Sequence, residues 1–90
     1  MEFEWDKDKA RRNLSKHGVS FHEAQTVFTD PLFVDFFDPD HSDDEKRYII
    51  VGQSQQNRLL VVSYTEREHK IRLISAREAT RMEKNAYEES

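Results

Sequence analysis

The 90-residue chain contains no cysteine, so it has no disulfide framework, thiol nucleophile or Cys-based zinc site, which suits a reducing compartment. Its only glycines are Gly18 and Gly52, and neither belongs to a P-loop, a GxGxxG or a GxSxG motif. Nucleotide cofactors held by those loops are therefore excluded. The longest apolar run is Leu59 to Val62, far below the roughly 18–20 residues that cross a bilayer. The opening stretch MEFEWDKDKA carries no apolar signal-peptide core, so a cytoplasmic protein that meets no membrane is expected. His22, His41 and His69 stand far apart, without HxxxH or HExxH spacing, and no metal site is expected.

What the chain does have is charge. Hydrophobic and charged residues each make up 36% and the mean hydropathy is −0.95, so one small core under a dense charged surface is expected, a single domain over residues 1–90. The net charge of −4 argues on its own against a nucleic-acid ligand. The average hides an asymmetry. Residues 1–45 hold 12 acids against 5 bases, whereas residues 46–90 hold 6 against 9. Asp35, Asp38, Asp40, Asp43, Asp44 and Glu45 crowd into a stretch without a base. That segment reads as a solubilised edge strand and loop, as bait for a basic partner, or as a repulsive gate keeping RNA off one face.

Phe3-Glu4-Trp5 alternates as a short strand, and Asp6 suits an N-cap with Trp5 and Ala10 as staple. The helix it opens should end near His17, with Gly18 taking positive φ. Ser20-x-x-Glu23 is a capping box for a second short helix, stopped by Asp30-Pro31. Leu32 to Asp38, Arg47 to Ser54, Arg58 to Thr65 and His69 to Ser75 read as strands, the last three joined by QQN and ERE loops into antiparallel hairpins. Ser75-x-x-Glu78 is another capping box, predicting a C-terminal helix with Ala79, Met82 and Ala86 on one stripe. The sum is α+β: a four-stranded antiparallel meander packed against N-terminal helices and a C-terminal helix, with one sheet face partly open.

Arg67, Arg72 and Arg77 recur every five residues, with Arg58, Lys70 and Arg81 nearby. Arg67 falls in the predicted hairpin turn. Arg77 falls in the first turn of the predicted helix, where the macrodipole disfavours a cation and a phosphate ligand would explain it. The plainer reading pairs these arginines with the acids of the first half. Tyr64, in phase with Leu60 and Val62, is a core aromatic, a stacking platform or an acid. Glu45 and Arg47, two apart at a strand start, point to one face and read as a plain surface pair. Lys16 and His17 close the first helix, and His17 is either a proton-transfer group or a C-capping cation.

Phe3 to Ala24 (F-E-W-D-x-x-K-A-x-x-N-L-x-K-H-G-V-S-F-x-E-A), Asp30-Pro31, Glu45-x-Arg47, RLLVVSYTER (Arg58 to Arg67) and IRLISAREAT (Ile71 to Thr80) resemble the BrnT family, toxins of bacterial type II toxin–antitoxin modules. The resemblance implies a RelE-like fold and a metal-independent endoribonuclease that needs no cofactor, inhibits translation and arrests growth. It further implies a BrnA-type ribbon-helix-helix antitoxin, in a 2:2 complex, through which operator DNA is bound and the operon repressed. Carried over block by block, the functional set falls on Lys16, His17, Glu45, Arg47, Tyr64, Arg67, Arg72, Ser75 and Arg77. On this reading Arg67, Arg72 and Arg77 stabilise phosphate, His17 or Tyr64 transfers the proton, Lys16 assists electrostatically and Glu45 is an alternative base. Arg47, Arg58, Ser75 and Arg81 bind RNA. The alternatives are a catalytically degenerate module that only binds antitoxin and co-represses, and an unrelated acidic binding domain.

Overall fold

The computed structural model describes residues 1–41 and 45–89; Asp43 and Asp44 of the acidic stretch lie outside them. The chain runs β1 (Glu2–Glu4), α1 (Lys7–His17), α2 (Phe21–Gln25) continued by a 3₁₀ turn at Thr26–Thr29, β2 (Val34–Asp38), a second 3₁₀ turn at Pro39–His41, β3 (Arg47–Gln53), β4 (Leu59–Arg67), β5 (Lys70–Glu78) and α3 (Arg81–Glu89). The class is α+β, as expected. The sheet has five strands in the order β1-β5-β4-β3-β2. The expected antiparallel meander makes up four of them, and β1 adds itself in parallel to the outer edge of β5, Phe3 opposite Ile71.

Local chemistry sets the helix ends. The Asp6 carboxylate accepts from the backbone N–H groups of Asp8 and Lys9, and Gly18 closes α1 at φ 69°, a conformation that costs glycine nothing. At α2 the Ser20 hydroxyl accepts from the Glu23 N–H at 3.0 Å. The box is half formed, because the Glu23 carboxylate turns inward to Arg58 and Ser54 instead.

The expected C-terminal helix is corrected. Residues 75–78 continue β5, paired through Leu60↔Glu78, and the helix begins at Arg81. A second box, Thr80-x-x-Glu83, caps it reciprocally: Thr80 Oγ1 accepts from the Glu83 N–H at 3.2 Å, and Glu83 accepts from the Thr80 N–H at 2.9 Å. Local chemistry alone permits either start, and strand pairing with Ala76 fully buried selects the later one. Arg77 is therefore a strand residue, and the argument from a cation at a helix N-terminus no longer applies to it. Arg67 likewise ends β4 rather than lying in the turn. The turn is Glu68-His69, both at positive φ, the backbone that suits a two-residue hairpin.

One sheet face carries the core. Ile50, Leu60, Val62, Tyr64, Ile71, Leu73 and Ala76 meet Val19, Phe21, Ala24 and Val27 from the helical segment. Asn13 of α1 reaches across to β5: its amide donates to the Val19 and Ala76 carbonyls at 2.9 and 2.8 Å, and its oxygen accepts from the Ala76 N–H at 3.0 Å. It thus pairs the edge of β5 beyond the end of β1. The other face is covered only in part. α3 contributes no buried residue and lies beside Val51, Val61 and Phe36. It is held by Arg77 forked onto Glu83 at 2.7 and 2.8 Å and by the Tyr87 hydroxyl on Asp30 at 2.6 Å.

Candidate functional site

The uncovered half of that second face is where the basic residues converge. Pairing registers put Arg47 opposite Thr65, and Thr65 opposite Arg72. Since partners directly across a ladder share a face, all three point to the open side. Between Leu73 and Ser75 the ladder slips by one residue. Ile74 is the extra residue, a β-bulge, and it returns Ser75 and Arg77 to the face of Arg72.

Two adjoining cavities result. The first, about 250 Å³, is lined by Lys9, Asp40, His41, Glu45, Arg47, Thr65, Arg67, Arg72 and Ile74. The second shares His41, Arg47 and Ile74 with it and extends to Ser63, Ser75 and Arg77. Glu45, Arg47, Arg67, Arg72, Ser75 and Arg77 are thus brought together from three separate stretches of sequence.

These cations are not bare. Arg67 forks onto Glu45, with Nε 2.6 Å from one carboxylate oxygen. That bond holds the Glu45 carboxyl below its ordinary range against the opposing effect of desolvation, and raises Arg67 in turn. Arg72 bonds Glu4 at 3.0 Å. The plain reading of pairing with acids of the first half therefore holds for Arg67 and Arg72. Both pairs are solvent-accessible, and such pairs contribute about 0–1 kcal/mol. A phosphate offering charge-assisted, forked bonds can displace them.

Other sequence candidates lie elsewhere. Tyr64 is on the core face, only 4% exposed, stacked on Tyr48 and edge-on to Phe28. Its hydroxyl donates to Asp35 at 3.2 Å. Burial first, then the Asp35 charge, pushes its pKa well up, which disfavours it as a proton acceptor. Arg58 is at the far end of β4, where Nε bonds Glu23 at 2.9 Å, and its other nitrogens reach Glu78 and the Gly18 carbonyl. It neutralises a Glu23 carboxylate that is 2% exposed, a structural duty. Lys16 and His17 are exposed in the last turn of α1 and Arg81 in the first turn of α3, and none of the three lines either cavity.

Sequence reasoning missed Lys9, Asp38 and His41. Lys9 was not singled out at all, and His41 was weighed only as a metal ligand. The signal available was the Asp38-Pro39-x-His41 spacing, a tight turn that brings a carboxylate and an imidazole onto one side. Among the described residues no three His, Asp or Glu side chains form a metal-ligating group, and no helix is long and apolar enough to cross a membrane.

The open basic cleft sits on a chain whose residues 5–83 match the family model described as "Ribonuclease toxin, BrnT, of type II toxin-antitoxin system". The chain belongs to the BrnT toxin family. The 1.1 Å crystal structure of the ribonuclease toxin BrnT from Brucella abortus is similar to it, with a TM-score of 0.66 and 20% identity over 90% of this chain and 99% of that one. At that identity the likeness establishes the shared fold. No curated protein sequence matches the chain. The match to the BrnT family begins at Trp5, after β1, and ends at Glu83, within the first turn of α3. All the residues of the basic cleft lie within it.

Proposed function

We propose that this BrnT-family chain is a metal-independent endoribonuclease with a RelE-like mode of action, and that the open-face cleft is where it cuts. The observation that carries the reading is the convergence of Lys9, Arg47, Arg67 and Arg72 on one concave surface of a chain with net charge −4. Cations gathered at one place on an acidic protein attract a polyanion there, while the acidic remainder of the surface repels it. Cleavage of this kind uses the substrate's own ribose 2′-hydroxyl as nucleophile. The protein then has to hold the phosphodiester, offset the charge gathered on phosphorus and move a proton. Arg47, Arg67 and Arg72 supply the first two, with Arg77 and Ser75 contacting the strand where the cleft continues. Cutting of messenger RNA inhibits translation and arrests growth in the cytoplasm.

The partner on this reading is a BrnA-type ribbon-helix-helix antitoxin in a 2:2 complex that also binds operator DNA. Leu32, Phe33, Phe36 and Phe37 are exposed on and beside the edge strand β2, next to Asp35 and Asp40. That surface suits an extended antitoxin segment of alternating apolar and basic residues. Incubation of the pure chain with defined RNA in EDTA tests the activity. Metal-independent fragments support it, and intact RNA at high protein concentration favours the degenerate co-repressor instead. Gel filtration of the co-expressed pair tests the stoichiometry, and a one-to-one heterodimer would count against it.

A further inference from the structure

We propose that His41 is the proton acceptor of the cleavage step and that Asp38 positions it, an assignment that rests on the ribonuclease reading of the cleft. Asp38 is the last residue of β2 and lies opposite Arg47 in the ladder, so it faces the open side. One of its oxygens accepts from the Asp40 N–H at 3.2 Å, which folds the chain into the turn that carries His41. The other lies 2.9 Å from His41 Nδ1. A carboxylate at that distance accepts a hydrogen bond from Nδ1–H, which leaves Nε2 as the nitrogen with a lone pair. His41 lines both cavities, as does Arg47, so it stands where the two halves of the cleft join.

The other groups there serve less well as acceptor. Arginines do not deprotonate, and Glu45 is forked by Arg67, its pKa lowered by that bond. Histidine is the side chain most often used as a general base, and His41 is the imidazole that lines both cavities. In the step, Nε2 takes the proton of the 2′-hydroxyl while the 2′ oxygen forms a bond to the adjacent phosphorus. The bond from phosphorus to the 5′ oxygen breaks, and that oxygen takes a proton from water. The products are a 2′,3′-cyclic phosphate and a 5′-hydroxyl, with no change of oxidation state. The added charge on phosphorus meets Arg47 and Arg72.

The test uses the full chain and a short single-stranded RNA oligonucleotide in EDTA. His41→Gln is expected to lose cleavage by about 10²–10⁴-fold while binding the oligonucleotide within about threefold of the unaltered chain. Imidazole added to His41→Ala should restore part of its rate and do nothing for Arg72→Ala. Asp38→Asn should lower kcat without raising KM, the mark of lost orientation rather than lost binding. Cleavage by His41→Gln within about threefold of the unaltered chain overturns the proposal. So does loss of binding together with cleavage, or a His41→Ala rate that imidazole leaves unchanged. Intact RNA with the unaltered chain overturns the ribonuclease reading itself, so the two failures are told apart by that control.

Discussion

Arg72 and Arg77 lie five residues apart on one strand and share a face of the sheet, because Ile74 is inserted between two paired segments of β5. On a regular strand an odd spacing sends two side chains to opposite faces. Here the bulge restores Arg77 to the cleft side and also turns both Leu73 and Ala76 into the core, 1% and 0% exposed.

The two arginines should part company when replaced. Arg72→Ala removes a phosphate donor: RNA affinity should fall and the salt dependence of single-strand binding should flatten by about 0.7 in log–log slope. Arg77→Ala should also loosen α3, since it deletes the fork onto Glu83. Oligonucleotide titrations across salt, together with growth arrest on expression, check both. Full toxicity in both variants would remove the arginines from the mechanism.

Arg58→Ala should behave as a stability variant. It leaves Glu23, 2% exposed, without its cation, a loss of about 3–5 kcal/mol for a broken buried pair. In the native chain the Arg58 bond lowers the Glu23 pKa from 4.5, so this stabilisation is present above pH 4.5 and fades as pH falls below it. In the variant the uncompensated carboxylate favours its neutral form, so stability should rise as pH is brought down from 7 towards 5. Urea melts at several pH values read the reversal, and cleavage per folded molecule should stay the same.

Tyr64→Phe should cost about 0.5–1.5 kcal/mol for the lost bond to Asp35 and leave RNA cleavage unaltered, because the hydroxyl is on the core side of the sheet. A large drop in kcat with normal stability would restore Tyr64 to the reaction.

The last helix should be the first part to come away in acid. Glu83 is held at about 2 by its bonds from Arg77, against burial and with help from Thr80. A lowered pKa stabilises above the ordinary 4.5 and ceases to do so as pH falls from there towards 2. Amide exchange in α3 should accelerate over that window ahead of the core strands, and Glu83→Gln should show the same fast exchange at neutral pH.

The elements were legible wherever a cap or an alternating run stood alone: Asp6 and Gly18 bracket α1 as read, and β3 and β4 lie within two residues of their expected bounds. The sequence misled where two caps competed. Ser75-x-x-Glu78 and Thr80-x-x-Glu83 are equally good locally, and only pairing with β4, a contact between distant residues, decides between them. The site was half legible for the same reason. Arg47, Arg67 and Arg72 could be proposed one by one from charge, but a bulge has no local signature strong enough to show that Ser75 and Arg77 rejoin them. Lys9 enters the cleft only through long-range docking, of β1 and of α1, against β5.

The amide of Asn13 acts as a lock on register. Its three bonds read the Val19 carbonyl just past the end of its own helix and both backbone groups of Ala76, 63 residues further along the chain. Sliding α1 by one residue would leave buried polar groups without partners at about 1–3 kcal/mol each, whereas an apolar side chain at this position would tolerate several seatings. A small core with few distinctive shapes thus gains a single arrangement from one polar residue, and the same lock fixes where Lys9, about one turn earlier on that helix, meets the cleft.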